Sequence, residues 1–236
     1  VISLDCEKLT GEYEEAKELG IKTKPVVIGP YTMLKLCRYV GSKNAEDFAD
    51  DVAEAYRQLI AECDEENVEW LQFDEPSLVR DMDDDDKALF HRVYDRVFAD
   101  RADCKILLQT YFGDVRDVYE DIINMPFAGI GLDFIEGKQT GQLIDRYGFP
   151  GDKVLFAGLV NGKNIWRNHY DKTLNVVGQL RDKKIDVVLS TSCSLLHVPY
   201  TLKQETKLSQ DYLRFFAFAE EKLIELSELA ALAESY

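Results

Sequence analysis

The sequence is poor in the residues that build loop-rich or cross-linked chains. Of 236 residues, 14 are glycine and 6 are proline, which excludes collagen-like repeats and long flexible linkers. Cysteine is scarce as well: five, at positions 6, 37, 63, 104 and 193, odd in number and never in a CxxC pair. That usage fits free thiols in a reducing, cytoplasmic compartment and not a disulfide framework. No apolar run approaches the roughly 18 residues that a membrane-spanning helix needs. No basic-then-apolar leader opens the chain, and its first residue is Val1, as in a trimmed chain or a piece of a longer protein. Basic residues are outnumbered, 28 Lys and Arg against 44 Asp and Glu, leaving a net charge of −16. Such a surface repels phosphate backbones and anionic headgroups, so neither nucleic acid nor a membrane is an expected partner.

What is present is ordinary globular composition, 46% hydrophobic and 31% charged with 12 Phe and 12 Tyr, enough for one large domain over residues 1–236. Short apolar runs, rich in β-branched residues, predict strands at Pro25–Gly29, Glu69–Asp74, Lys105–Tyr111, Ala128–Phe134, Val154–Val160 and Asp186–Ser190. Between them lie helical stripes. Ala49, Val52, Ala53, Tyr56, Leu59, Ile60 and Cys63 mark one face, and Leu89, Phe90, Val93, Tyr94, Val97 and Phe98 another. Leu9, Tyr13, Ala16 and Leu19 form a stripe ahead of the first strand, closed by Gly20. From Leu208 to Ala230 apolar residues step by three or four, predicting one long C-terminal helix within 205–236. Strands alternating with helices predict an α/β fold of parallel βα units. A (β/α)8 TIM-type barrel needs eight strands and about 250 residues. Six strands therefore fit either an open doubly wound sheet or a barrel with about six of its eight units in this chain.

Polar residues gather where the strands end, the place where parallel α/β folds bind ligands. Asp74 and Glu75 follow the second strand, Thr110 and Tyr111 the third, Asp133 the fourth, Asn161 to Asn164 the fifth and Thr191 to Ser194 the last. Asp74, Tyr111, Asp133 and Asn161 are the candidate substrate-binding residues; no residue stands out as catalytic. Adjacent in a strand, Asp74 and Glu75 point to opposite sides and cannot serve one substrate as an acid/base pair. One is expected to face the barrel interior or mouth and the other to form a structural salt bridge. The acidic run Asp81, Asp83, Asp84, Asp85, Asp86 fails the EF-hand template, which wants Gly where Asp86 stands and Glu where Arg92 stands. It reads as a helix N-terminus, where negative charge complements the macrodipole. His197 lies four residues after Cys193 without further ligands at zinc spacing, and no phosphate-cradling glycine motif is present.

Several segments, in order, carry a resemblance: Lys24-Pro-Val-Val-Ile-Gly-Pro30, Leu71-Gln-Phe-Asp-Glu-Pro-Ser-Leu-Val79, Gln109-Thr-Tyr-Phe-Gly113, Phe156-Ala-Gly-Leu-Val-Asn-Gly-Lys-Asn-Ile-Trp166 and Ser190-Thr-Ser-Cys-Ser-Leu-Leu-His-Val-Pro199. Together with Glu205–Leu208 and Phe216–Ala219 they closely resemble the later part of the N-terminal domain of cobalamin-independent methionine synthases, from about residue 10 to about residue 225. The resemblance implies two face-to-face (β/α)8 barrels joined by a long helix, and methyl transfer from 5-methyltetrahydropteroyltriglutamate to homocysteine. The metal implied is a zinc ion in the other barrel, outside this chain, that favours the homocysteine thiolate. The family's Arg-Glu-Leu-Lys folate motif and its Phe-Asp-Thr-Asn-Tyr-His-Tyr segment have no counterpart here.

The two barrels of that family resemble an ancient duplication. By that comparison Tyr111, Gly113, Asp133 and Cys193 stand where the catalytic half carries zinc ligands, Cys193 occupying a degenerate ligand position. No metal is expected in this chain, which is expected to act as scaffold and folate-side wall, inactive alone, partnered by the rest of the enzyme or a second copy. A stand-alone barrel enzyme and a non-catalytic interaction barrel are the alternatives. If the six strands are the third to eighth of a barrel, Val26–Gly29 and Val187–Ser190 are not neighbours, and their free edges need covering.

Overall fold

A computed structural model describes residues 2–100 and 102–234. Its contacts form two compact units, Val1–Thr110 with Asp117–Ile130, and Tyr111–Arg116 with Gly131–Tyr236. The first holds α1 (Glu7–Glu18), β1 (Val26–Ile28), α2 (Pro30–Leu36), α3 (Ala49–Glu65), β2 (Trp70–Asp74), α4 (Asp84–Val97), β3 (Lys105–Gln109), α5 (Tyr119–Asn124) and the start of β4 (Gly129–Asp133). The second holds the rest of β4, then α6 (Thr140–Tyr147), β5 (Val154–Val160), α7 (Tyr170–Asp182), β6 (Asp186–Thr191), α8 (Gln210–Leu213) and α9 (Ala219–Glu234). All six expected strands form, alternate with helices and follow the order β1-β2-β3-β4-β5-β6, with β1 and β6 at the two ends.

In the first unit β1 pairs parallel with β2, Val27 opposite Phe73, and β2 with β3, Phe73 opposite Leu108. Leu71, Phe73, Ile106, Leu107 and Leu108 are buried. Each fully buried side chain of this size stabilises by roughly 1.5–3 kcal/mol. The α3 stripe is buried at Ala49, Val52, Ala53, Leu59, Ile60 and Cys63, and the α4 stripe at Leu89, Phe90, Val93, Tyr94 and Val97. Aromatic edges meet here: Tyr56 of α3 packs on Phe73 of β2 at 5.4 Å, and Tyr94 of α4 on Phe127, in the loop before β4, at 5.2 Å. The acidic run starts α4 as expected. Asp83 accepts a hydrogen bond from the Asp86 N–H at 2.8 Å, and Asp84, Asp85 and Asp86 fill the first turn. Asp83→Ala is expected to cost about 1 kcal/mol in urea unfolding, and added calcium to leave the midpoint unchanged. A calcium-dependent rise would restore the cation-loop reading.

In the second unit β5 and β6 pair parallel, Phe156 opposite Val188, with an irregularity between Gly158 and Val160. The long C-terminal helix expected within 205–236 is interrupted. Its stripe resolves into α8 and α9, and residues 235 and 236 lie outside the described set. The cause is tertiary: Phe216 forms an antiparallel bridge with Trp166, Ala217 N–H donates to the Ile165 carbonyl at 2.8 Å, and Arg167 N–H donates to the Phe215 carbonyl at 3.0 Å. Those bonds take residues 215–217 out of helical conformation.

All five cysteines are free thiols. Cys63, Cys104 and Cys193 are buried, Cys6 is half-buried and Cys37 is exposed. Among the described residues no helix is long and apolar enough to cross a membrane.

Candidate functional site

In the first unit the two carboxylates after β2 divide differently from expectation. Asp74 is half-buried and accepts from the Gln72 side-chain amide at 2.7 Å. Glu75 is fully buried and forms no salt bridge among the described residues. Instead its carboxylate takes the Tyr31 N–H at 2.9 Å, the Thr32 N–H at 2.7 Å and the Tyr94 hydroxyl at 2.6 Å. The expected ion pair is absent because the carboxylate is spent on the first turn of α2, which satisfies N–H groups that the helix itself leaves unpaired. Gly29 makes this possible, since a Cβ there would overlap the Glu75 carboxyl group. Burial pushes the Glu75 carboxyl up to about 7, against the opposing pull of its hydrogen bonds. Asp74, a candidate ligand contact, faces Lys24, whose ammonium is held below its usual range by burial while Asp74 works the other way.

In the second unit the loops after β3, β4, β5 and β6 bring together a group of polar and aromatic side chains. Asp133, buried at the end of β4, accepts three backbone N–H groups: Phe112 at 3.0 Å, Ile135 at 2.7 Å and Glu136 at 2.9 Å. Burial raises its pKa, and those bonds work to lower it. Phe112 sits at φ +74°, in the left-handed region that side chains other than glycine seldom adopt. Its ring has Tyr111 at 4.8 Å, His197 at 5.4 Å and the Lys163 ammonium at 5.0 Å. Lys163 also pairs with Glu136 at 2.9 Å, which raises its pKa. Asn161 folds its own loop, its side-chain oxygen accepting from the N–H groups of Lys163 at 2.8 Å and Asn164 at 3.0 Å. Cys193 is buried against Gly162, and burial raises its thiol pKa.

Of the candidates in this unit, Asp133 and Asn161 thus hold loops, Tyr111 borders the exposed Phe112 ring, and Cys193 is shielded. Sequence reasoning missed Phe112 and Glu136, and it did not tell which of Asp74 and Glu75 is buried. Nothing in the sequence announces a left-handed phenylalanine, because Asp133, which captures its N–H, lies 21 residues further on. The arrangement can present a planar ring flanked by an ammonium and an imidazole. Its thiol, Cys193, is held by burial as the thiol and not the more nucleophilic thiolate.

The zinc that the resemblance places outside this chain has no fitting donor set here. Asp133 is committed to three backbone N–H groups, Cys193 is buried, and among the described residues no group of three or more His, Cys, Asp and Glu could hold a metal ion. Zinc wants four ligands, or three and a water.

Residues 1–185 match the family model described as "Cobalamin-independent synthase, N-terminal domain". A 5-methyltetrahydropteroyltriglutamate--homocysteine methyltransferase of Lactococcus lactis subsp. lactis is 50% identical over 230 residues, covering 98% of this chain and 30% of that protein. Its counterpart in Campylobacter jejuni subsp. jejuni is 48% identical over 235 residues, covering 100% of this chain and 31% of that protein. The chain thus spans about 30% of the length of these curated relatives. Among solved structures, a putative vitamin-B12 independent methionine synthase from Listeria monocytogenes superimposes with TM-score 0.72 at 18% identity, covering 99% of this chain and 71% of that one. A B12-independent methionine synthase from Shewanella sp. W3-18-1 gives TM-score 0.65 at 16% identity, covering 99% of this chain and 67% of that one. At such identities the likeness speaks for the α/β fold alone. The family match over residues 1–185 does more: this chain belongs to the cobalamin-independent synthase N-terminal domain family.

Proposed function

We propose that this chain is part of a methyltransferase that moves the methyl group of 5-methyltetrahydropteroyltriglutamate to homocysteine, forming methionine. In this reading it acts as scaffold and folate-side wall for a zinc centre carried outside residues 1–236. The observation that carries the reading is the near-complete match of this chain, at 50% identity, to 30% of a curated enzyme of that name. The loop chemistry agrees. Asp133 and Asn161 are occupied by backbone N–H groups, so they hold loops in place and leave bond-making to other parts of the enzyme. The exposed ring of Phe112, with Tyr111 beside it, is the surface of the second unit that would line a substrate cavity; Asp74 plays that part in the first.

Purified residues 1–236, supplied with zinc, homocysteine and 5-methyltetrahydropteroyltriglutamate, are expected to form no methionine above a heat-killed control. Methionine production by this chain alone would overturn the scaffold reading and favour a stand-alone enzyme.

A further inference from the structure

Helix α9, in the second unit, buries two charged side chains that the proposed function leaves unused. Its inward face runs Lys222, Glu225, Leu229 and Ala233. Leu229 and Ala233 are apolar, as suits a face packed against α7, β5 and β6. Lys222 is only 1% exposed and Glu225 only 5%. Taking an ammonium and a carboxylate out of water is costly, and apolar residues of similar volume commonly pack at least as stably. Packing alone therefore does not account for them. Both are spent on the backbone of one segment, residues 161–168, which follows β5. The Lys222 ammonium donates to the Trp166 carbonyl at 3.1 Å, and the Glu225 carboxylate accepts from the Asn168 N–H at 3.0 Å. The Asn168 side chain fastens the same point to β5 and α7, donating to the Leu159 carbonyl at 3.0 Å and accepting from the Thr173 hydroxyl at 2.7 Å.

The other end of the segment carries Lys163, three positions before Trp166. Its ammonium lies over the Phe112 ring and pairs with Glu136. Asn161 closes the turn, accepting from the Lys163 and Asn164 N–H groups. Two buried charges of α9 thus hold the segment that brings Lys163 to the exposed ring. We propose that Lys222 and Glu225 are positioning residues, which fix residues 161–168 so that Lys163 stays over Phe112 and the surface facing the folate keeps its shape. The inference rests on the reading of the Phe112 ring as a wall of the substrate cavity. Neither residue touches substrate; each acts through the segment, and binding geometry of this kind is sensitive to displacements of an ångström.

Variants of α9 separate positioning from packing. Lys222→Met and Glu225→Leu remove the bonds to the segment and keep an apolar body at each place. Leu229→Ala weakens the packing of the same helix and leaves those bonds alone. In residues 1–236, Lys222→Met and Glu225→Leu are expected to shift the NMR signals of the Tyr111 and His197 rings, which lie beside Phe112. Leu229→Ala is expected to lower the melting temperature and leave those signals in place. Glu225→Gln keeps an oxygen acceptor for the Asn168 N–H and is expected to retain the native spectrum. If Glu225→Leu does not fold, Lys222→Met carries the same test. In the complete gene product, Lys222→Met and Glu225→Leu are expected to raise KM for 5-methyltetrahydropteroyltriglutamate roughly ten-fold and to leave KM for homocysteine unchanged. Ring signals unmoved by Lys222→Met, or moved as far by Leu229→Ala, would overturn the inference, as would an equal rise in both KM values. A complete gene product that transfers no methyl group would remove the methyltransferase reading itself, and the ring signals would still decide whether α9 positions the segment.

Discussion

Replacing Glu75 with alanine is expected to lower stability by about 3–5 kcal/mol, because it leaves three buried donors without their acceptor. The Tyr31 and Thr32 N–H groups and the Tyr94 hydroxyl would all lose their acceptor. Each buried donor left unpaired costs about 1–3 kcal/mol. Against a total of roughly 5–15 kcal/mol for a domain, that loss moves the urea midpoint far. Tyr94→Phe removes one donor and keeps the ring, so about 1 kcal/mol is expected from it. A Glu75→Ala loss below that of Tyr94→Phe would show that the cluster is not what fixes α2.

The same carboxyl group gives stability a pH dependence whose sign is unusual for an acid. Its folded pKa, about 7, lies above the ordinary 4.5. Between those values the folded protein keeps a proton that the unfolded chain has released. Stability from this group is therefore present in full below about pH 4.5 and is lost as pH rises through about 7. The gap corresponds to roughly 3 kcal/mol. Glu75→Gln, which cannot titrate, is expected to flatten the slope of unfolding free energy between pH 5 and pH 7; an unchanged slope would assign it to other groups.

The second large effect is expected at Asp133. Asp133→Ala leaves the N–H groups of Phe112, Ile135 and Glu136 without their acceptor, at an expected cost of about 2–4 kcal/mol. It also frees Phe112 to leave its left-handed conformation, which stores about 1–3 kcal/mol and offsets part of the loss. Chemical denaturation gives the net value. Quenching of the ring environment around Phe112, read by NMR shifts of Tyr111 and His197, reports the loop separately. Unmoved shifts together with unchanged stability would mean that Asp133 does not hold the loop.

Much of this was legible in the sequence wherever a signal is local. The strands show as short β-branched runs, the α3 and α4 faces as three- and four-residue steps, and the α4 start as an acidic cap. What failed depends on partners distant in sequence. Glu75 draws its donors from 44, 43 and 19 residues away, so its neighbour Asp74 looked equally suited to burial. The stripe through Phe215 and Phe216 keeps helical period, yet a bridge to Trp166 overrides it. The α1 stripe has the same period and buries nothing, because periodicity records which residues could face a core and not whether one is there.

The uneven burial of the thiols makes Cys37 the most accessible handle for chemical labelling, with the half-buried Cys6 behind it. Burial pushes Cys63 and Cys104 up to about 12, so at neutral pH both are held as the unreactive thiol. Cys193 is buried and raised in the same direction. Only Cys37 is exposed. A maleimide or iodoacetamide dye at neutral pH is therefore directed first to the C-terminal end of α2, one helix away from β1, with the native sequence left intact.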